Sequence, residues 1–294
     1  MKKVLITGAT GLLGRALMRI FNENGFDVIG TGFSRAQSPI VKVDLTQHTT
    51  VTQFLNETKP DIIIHAAAER KPDVCENNHA HTKALNLSVT EHLSREAARL
   101  NAQFFFISTD YVFDGKTPPY AETDTLNPLN FYGETKAQGE QIVLNTRKTH
   151  TVIRVPVLYG QVETLSESAI TVIAHQIKQR SNNAHDNWAI RYPTHVDDIA
   201  LTLVDLCQVT NTNIGGIFHV SDNQAYTKYQ IACIAAKQLE IDKTTLSPIN
   251  EPSQVASRPH NCALQDSRLK QLNICHSRPF EQAFIACIQP LLTH

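Results

Sequence analysis

Tyr132 and Lys136 stand four residues apart in the segment Tyr132-Gly133-Glu134-Thr135-Lys136. On a helix that spacing puts both side chains on one face, because about 3.6 residues complete a turn. An ammonium beside a phenol favours the phenolate and lowers a pKa that is ordinarily ~10. A tyrosine so placed can exchange a proton with a carbonyl or alcohol oxygen near neutral pH. Upstream, the run ending Ile107-Ser108-Thr109-Asp110-Tyr111 offers the Thr109 hydroxyl to the same oxygen. Thr109, Tyr132 and Lys136 are therefore the candidate catalytic residues. A Tyr/Lys pair alone is as readily an exposed helix surface, and its weight comes from the segment that opens the chain.

That segment is Lys3-Val4-Leu5-Ile6-Thr7, an apolar run read as a buried strand. It passes into Gly8-Ala9-Thr10-Gly11-Leu12-Leu13-Gly14 and then a helical pattern through Leu17, Ile20 and Phe21. Strand, glycine turn and helix form the frame a dinucleotide fingerprint requires. Gly8 permits the tight turn, Gly11 admits a pyrophosphate to the backbone, and Gly14 lets helix and strand pack closely. With Thr10, Leu12 and Leu13 they would hold the pyrophosphate at the helix N-terminus, where free N–H groups favour anions. The second strand, 26–30, is followed by Thr31-Gly32-Phe33-Ser34-Arg35, without the acid that usually receives the adenine-ribose hydroxyls of NAD. Ser34 and Arg35 could instead donate to a 2′-phosphate, so NADP(H) is the expected cofactor. An ordinary exposed loop arginine is the alternative.

These residues need an architecture that gathers them. Strand-like runs at 3–7, 26–30, 40–44, 61–65, 103–108 and 151–158 alternate with helical patterns near 12–24, 47–58, 78–100, 131–146 and 168–181. The alternation predicts an α/β fold, a Rossmann-type doubly wound parallel sheet with a smaller C-terminal substrate-binding region. Ligands in such sheets bind beyond the carboxyl ends of the strands. Asp44 and Leu45, Ala66-Ala67-Ala68, Pro156, Tyr132 and Lys136 all fall on that edge and complete the cofactor-binding set. The alanine run suits close approach of a ribose, and small residues for packing explain it nearly as well. Residues 1–160 read as the NADP(H)-binding domain and 161–294 as a substrate-binding region interleaved with it. Within the latter, 183–195 and 248–263 look irregular, 196–207 helical and 216–220 a strand, and Thr227 is an N-cap.

Composition bounds the rest. The 294 residues can bury a large core, and a formal net charge of −1 without a basic stripe argues against nucleic acid. Six scattered cysteines and thirteen histidines show no zinc or HExxH spacing, so no metal site is expected. No signal segment and no apolar stretch of ~20 residues is visible, and a cytoplasmic protein without a membrane partner is the expectation.

Together these motifs resemble the extended short-chain dehydrogenase/reductase superfamily along nearly the whole chain. One similar family is the dTDP-4-dehydrorhamnose reductases, matched by Ser108 to Gly115, Pro128-Leu129-Asn130, Tyr132-Gly133, Thr135-Lys136, Gly139-Glu140 and Arg258-Pro259-His260-Asn261. The other is the regulatory β subunits of methionine adenosyltransferase, which bind NADP on the same scaffold. They are matched by Gly8 to Ala16, Gly32-Phe33, His65 to Asp73, Pro156 to Gly160, Glu167-Ser168-Ala169 and Pro193-Thr194-His195-Val196. The resemblance implies that Thr109 orients a carbonyl, Tyr132 is the general acid, and Lys136 binds the nicotinamide ribose. Two departures matter. Ala16 stands where bacterial reductases often carry a metal-holding glutamate, and Arg154-Val155-Pro156-Val157 lacks their sugar-contacting tryptophan. The implied function is NADPH-dependent reduction of a 4-keto nucleotide sugar in dTDP-rhamnose biosynthesis, favoured by the complete Thr/Tyr/Lys set. The alternative is an NADP-binding regulatory subunit without turnover. The implied partners are a small nucleotide-sugar substrate and either a second copy or a methionine adenosyltransferase catalytic subunit.

Overall fold

The computed structural model describes residues 1–164, 167–210, 214–252 and 256–292. The first half runs β1 (Lys3–Thr7), α1 (Leu12–Glu23), β2 (Asp27–Gly32), β3 (Val41–Lys42), α2 (His48–Thr58), β4 (Ile62–His65), α3 (Pro72–Asn77) and α4 (His79–Lys83). It continues through α5 (Val89–Arg99), β5 (Gln103–Thr109), α6 (Phe131–Thr146) and β6 (Thr151–Val155). Then follow β7 (Leu158–Tyr159), α7 (Thr171–Gln179), β8 (Ala184–Asp186), β9 (Thr194–His195), α8 (Val196–Gln208) and β10 (Gly216–His219). The chain closes with α9 (Lys228–Gln238), β11 (Ser247–Ile249), α10 (Ser267–Gln271) and α11 (Phe280–Leu292).

Seven strands form one parallel sheet in the order β3-β2-β1-β4-β5-β6-β10. The strand order reverses between β1 and β4, which is where a doubly wound sheet opens its ligand crevice. Period-2 alternation explains why the central runs are apolar throughout. Val4, Ile6, Ile62, Ile64, Phe105, Ile107 and Ile153 face one core with α1 and α8. Leu5, Ile63, Phe104, Phe106 and Val152 face the other with α2, α5 and α6. A third apolar cluster joins α7, α9 and α11 around Ile173, Ile231 and Phe284.

Several local readings change. The 151–158 run breaks at Pro156, so β6 stops at Val155 and β7 pairs with β9 in a separate two-stranded sheet. Proline has no N–H to continue the ladder. The 78–100 helix starts after Asn78, whose side chain accepts from the His81 N–H at 3.3 Å, and carries a π-turn at Ala84–Ser88 before α5. The segment expected to be irregular at 183–195 contains β8 and β9, and β8 pairs with β11. Thr227 caps α9 reciprocally with Gln230, as its sequence suggests. Among the described residues, no helix is long and apolar enough to cross a membrane.

Candidate active site

The glycine turn is built by contact. Gly8 sits at φ +69, and a Cβ there would lie 2.9 Å from the Ala67 nitrogen across the β1–β4 switch. A Cβ on Gly14 would strike the Gly8 carbonyl and come within 2.7 Å of the Ala9 Cα, so α1 can close on β1 only with glycine at that place. Gly11 differs: its Cβ would meet only the Gly8 oxygen, at 3.2 Å. Gly11 is the N-cap of α1, with no side-chain cap and no acid in the first turn, so the turn offers an anion an open backbone edge. Thr10, Leu12 and Leu13 lie in and just after it. The alanine run is joined to this turn through Thr7, whose Oγ1 accepts from the N–H groups of Ala66 and Ala67 at 3.2 Å each.

The end of β5 carries Thr109, and the first turns of α6 carry Tyr132 and Lys136. Asn130 starts α6 by accepting from the Gly133 N–H at 2.9 Å, which aims Tyr132 back at β5. The Tyr132 ring packs edge-on to Tyr111 with centroids 6.1 Å apart, and the Thr109 side chain lies beside its phenol. Thr109 Oγ1 also lies 3.1 Å from Asp110 Oδ1 and accepts from the Tyr111 N–H at 3.2 Å. Lys136 is buried; its Nζ donates to the Ile107 carbonyl at 2.6 Å and lies 3.9 Å from the Phe106 ring centroid.

The electrostatics correct one expectation. Tyr132 has its pKa raised, not lowered: burial is the main cause, and the neighbouring Thr109 side chain only opposes it. Lys136 directs its ammonium to Ile107 and Phe106, and burial brings its own pKa down to about 7 against the pull of Glu140. Desolvation dominates both groups, and each is pushed toward its neutral form. Asp110 is raised to about 6, again by burial, with Arg191 opposing.

The remaining candidates lie on the same edge with different degrees of freedom. Pro156 is buried after β6, and Leu45 is half-buried beside the β3 end. Asp44 Oδ1 is engaged locally, accepting from the Thr46 N–H at 3.0 Å and its hydroxyl at 2.7 Å. Ser34 is exposed after β2. Arg35 is not an unengaged loop arginine, because its Nη1 donates to Glu167 Oε1 at 2.6 Å.

Residue spacing does not reveal the partners of Glu167, or Arg191. Glu167 is separated by 132 residues from Arg35 and 152 from Arg15, so only the fold joins them. Arg191, 4% exposed, packs 5.7 Å from the Tyr111 ring centroid, and its Nη1 donates to the Pro259 carbonyl at 3.1 Å. Its presence in a segment that reads as irregular hides a charge held beside Asp110.

The chain resembles known proteins over its full length. It is 41% identical to methionine adenosyltransferase 2 subunit beta of Bos taurus, an alignment covering 99% of this chain and 88% of that protein. It is 29% identical to dTDP-4-dehydrorhamnose reductase of Aggregatibacter actinomycetemcomitans, over 92% of this chain and 93% of that one. The crystal structure of dTDP-4-dehydrorhamnose reductase from Bacillus anthracis, in complex with NADP, superposes with a TM-score of 0.85 at 25% identity, covering 99% of each chain. The RmlD substrate binding domain model matches residues 1–293. By its glycine turn, its switch-point sheet and this match, the chain belongs to the RmlD substrate binding domain family of the extended short-chain dehydrogenase/reductase superfamily.

Proposed function

We propose that the chain binds NADP(H) and reduces the keto group of a nucleotide sugar, in the manner of the dTDP-4-dehydrorhamnose reductases. The observation that carries this reading is the Thr109 side chain beside the Tyr132 phenol, with Lys136 one turn on in α6, in a chain that opens with the glycine turn. The residues fit the cofactor: Gly11 leaves the backbone open where a pyrophosphate would come, and the α1 N-terminus is uncapped by any side chain. Gly8, Thr10, Gly11, Leu12, Leu13 and Gly14 would take the pyrophosphate, and Ser34 and Arg35 the 2′-phosphate. Ala66 to Ala68, Pro156 and Lys136 would line the riboses and nicotinamide, and residues 161–294 would form most of the substrate side.

When bound, the nicotinamide supplies the hydride. Thr109 and Tyr132 hold the carbonyl oxygen between two hydroxyls, which orients the reacting carbon. Tyr132 stays protonated through neutral pH because burial raises its pKa, so it can donate a proton to that oxygen as the general acid. Lys136 holds ribose and positive charge at the same edge. NADPH absorbance, followed with a panel of dTDP-4-keto sugars, tests the reading. Oxidation of NADPH with one of them is expected, and complete inactivity across the panel would overturn it.

A second reading is favoured by a specific observation, the 41% identity to a methionine adenosyltransferase β subunit over 99% of the chain. The absence of an aromatic residue at 154–157 points the same way. On this reading the chain holds NADP without turnover and assembles with a methionine adenosyltransferase catalytic subunit. Co-purification with that subunit, together with inactivity on every nucleotide sugar, would select it.

A further inference from the structure

Three arginines at the carboxyl edge of the sheet, one from the first turn of α1 and two from loops, converge on Glu167. Arg15, in the first turn of α1, donates Nη1 and Nη2 to its carboxylate at 3.0 and 2.7 Å. Arg35, after β2, donates Nη1 at 2.6 Å, and Arg70, after β4, donates to the Glu167 backbone carbonyl at 2.8 Å. Arg15 also donates to the Thr10 carbonyl at 2.9 Å, which anchors the cluster on the glycine turn. Glu163 sends its N–H to Glu167 Oε2 at 3.0 Å. Its exposed carboxylate lies 3.3 Å from Arg15 and 3.7 Å from Arg35. The Glu167 side chain is 7% exposed and that of Arg35 49%.

A dinucleotide site for NAD places an acid after the second strand to accept from the adenine-ribose hydroxyls. β2 ends without one, yet the fold delivers a carboxylate there from the segment before α7. We infer that Glu167 is the specificity-determining residue that sets how far the site prefers a 2′-phosphorylated dinucleotide, because its carboxylate shares Arg35 with that phosphate and opposes it. The inference rests on the dinucleotide-binding reading above. A 2′-phosphate brought to Arg35 meets a guanidinium already ion-paired at 2.6 Å, with two carboxylates beside it. Two anions on one guanidinium repel, whereas a ribose hydroxyl can donate to the carboxylate. Arg15 offers little relief, since both its Nη atoms already bond Glu167. Arg35 therefore pulls toward NADP(H) and Glu167 toward NAD(H), and the preference of the chain is smaller than Arg35 alone would give.

Fluorescence titration of NADPH and NADH against wild type, Glu167→Gln, Arg35→Ala and the double variant tests this without any substrate. Glu167→Gln is expected to raise the NADPH-to-NADH affinity ratio by about threefold to tenfold. Arg35→Ala should abolish the NADPH preference, and in that background Glu167→Gln should no longer shift the ratio. Should Glu167→Gln not fold, as judged by circular dichroism, Glu167→Asp keeps the charge but shortens its reach to Arg35 by one methylene, and should move the ratio the same way. A foldable Glu167 variant with an unchanged or lowered ratio overturns the inference and leaves the dinucleotide reading standing. A wild type that binds neither dinucleotide overturns both.

Discussion

Arg154 Nη2 and Glu140 Oε2 lie 2.7 Å apart with their side chains 1% and 2% exposed, an ion pair buried between β6 and α6. Arg154 Nε donates to both Glu140 oxygens at 3.0 and 3.2 Å, and the Ser108 hydroxyl donates to the same carboxylate. Ser108 precedes Thr109, and Glu140 lies one turn beyond Lys136, so the pair ties the two halves of the candidate site together. On the far side Arg154 Nη1 reaches His219 Nε2 at 3.1 Å. Burial first, then Arg154, brings the His219 pKa down to about 4, which leaves a neutral ring able to accept. Breaking a buried pair on one side leaves an uncompensated charge, at a cost of ~3–5 kcal/mol. Arg154→Met is expected to lose about that much in denaturant unfolding, and adding Glu140→Gln should recover a large part of it. Additive losses in the double variant would contradict the pairing.

Tyr132→Phe removes only the transferable proton. Dinucleotide binding should be nearly unchanged while turnover falls by ~10²-fold or more, as loss of general acid catalysis requires. Stopped-flow rates beside a binding titration separate the two effects. Unchanged turnover would remove Tyr132 from the mechanism.

The pH response follows from Lys136. Its pKa is held at about 7, below the ordinary 10.5, so it loses its proton as pH rises through about 7. Dinucleotide affinity is expected to fall across that interval, because the neutral amine no longer attracts an anionic cofactor. Lys136→Arg keeps the charge and should flatten the curve. A wild-type affinity that does not change between about pH 6 and 9 would show that this ammonium takes no part in binding.

Gly11→Val tests the turn. An added Cβ at Gly11 meets one atom, the Gly8 oxygen at 3.2 Å, and a shift of a few tenths of an ångström relieves it. The variant should therefore fold, as seen by circular dichroism, and lose dinucleotide binding, since the side chain would fill the pyrophosphate's approach. Wild-type affinity in a folded variant would sink the fingerprint.

Activity is expected to be independent of added metal. Among the described residues, no group of three or more His, Cys, Asp or Glu could hold an ion, and the buried Ala16 offers no ligand. Loss of turnover in a chelator, restored by Mg²⁺, would be the contrary result.

The sequence by itself determined the sheet and the order of its parts. Strand periodicity, glycine spacing and the Tyr132–Lys136 interval are local properties, and they place Gly8 to Gly14, Thr109, Tyr132 and Lys136 on one edge before any contact is seen. Its local readings were weakest in the segments 151–158 and 183–195, where short strands pair with partners remote in the chain and propensity carries little weight. Only the tertiary structure decided the electrostatics. Whether Lys136 lowers the Tyr132 pKa depends on how deeply both are buried and on the Ile107 carbonyl that receives the ammonium. Whether Arg35 is unengaged depends on a glutamate 132 residues away. Desolvation and ion pairing are set by what surrounds a group in space, and neighbours from other loops leave no mark in the spacing of the chain.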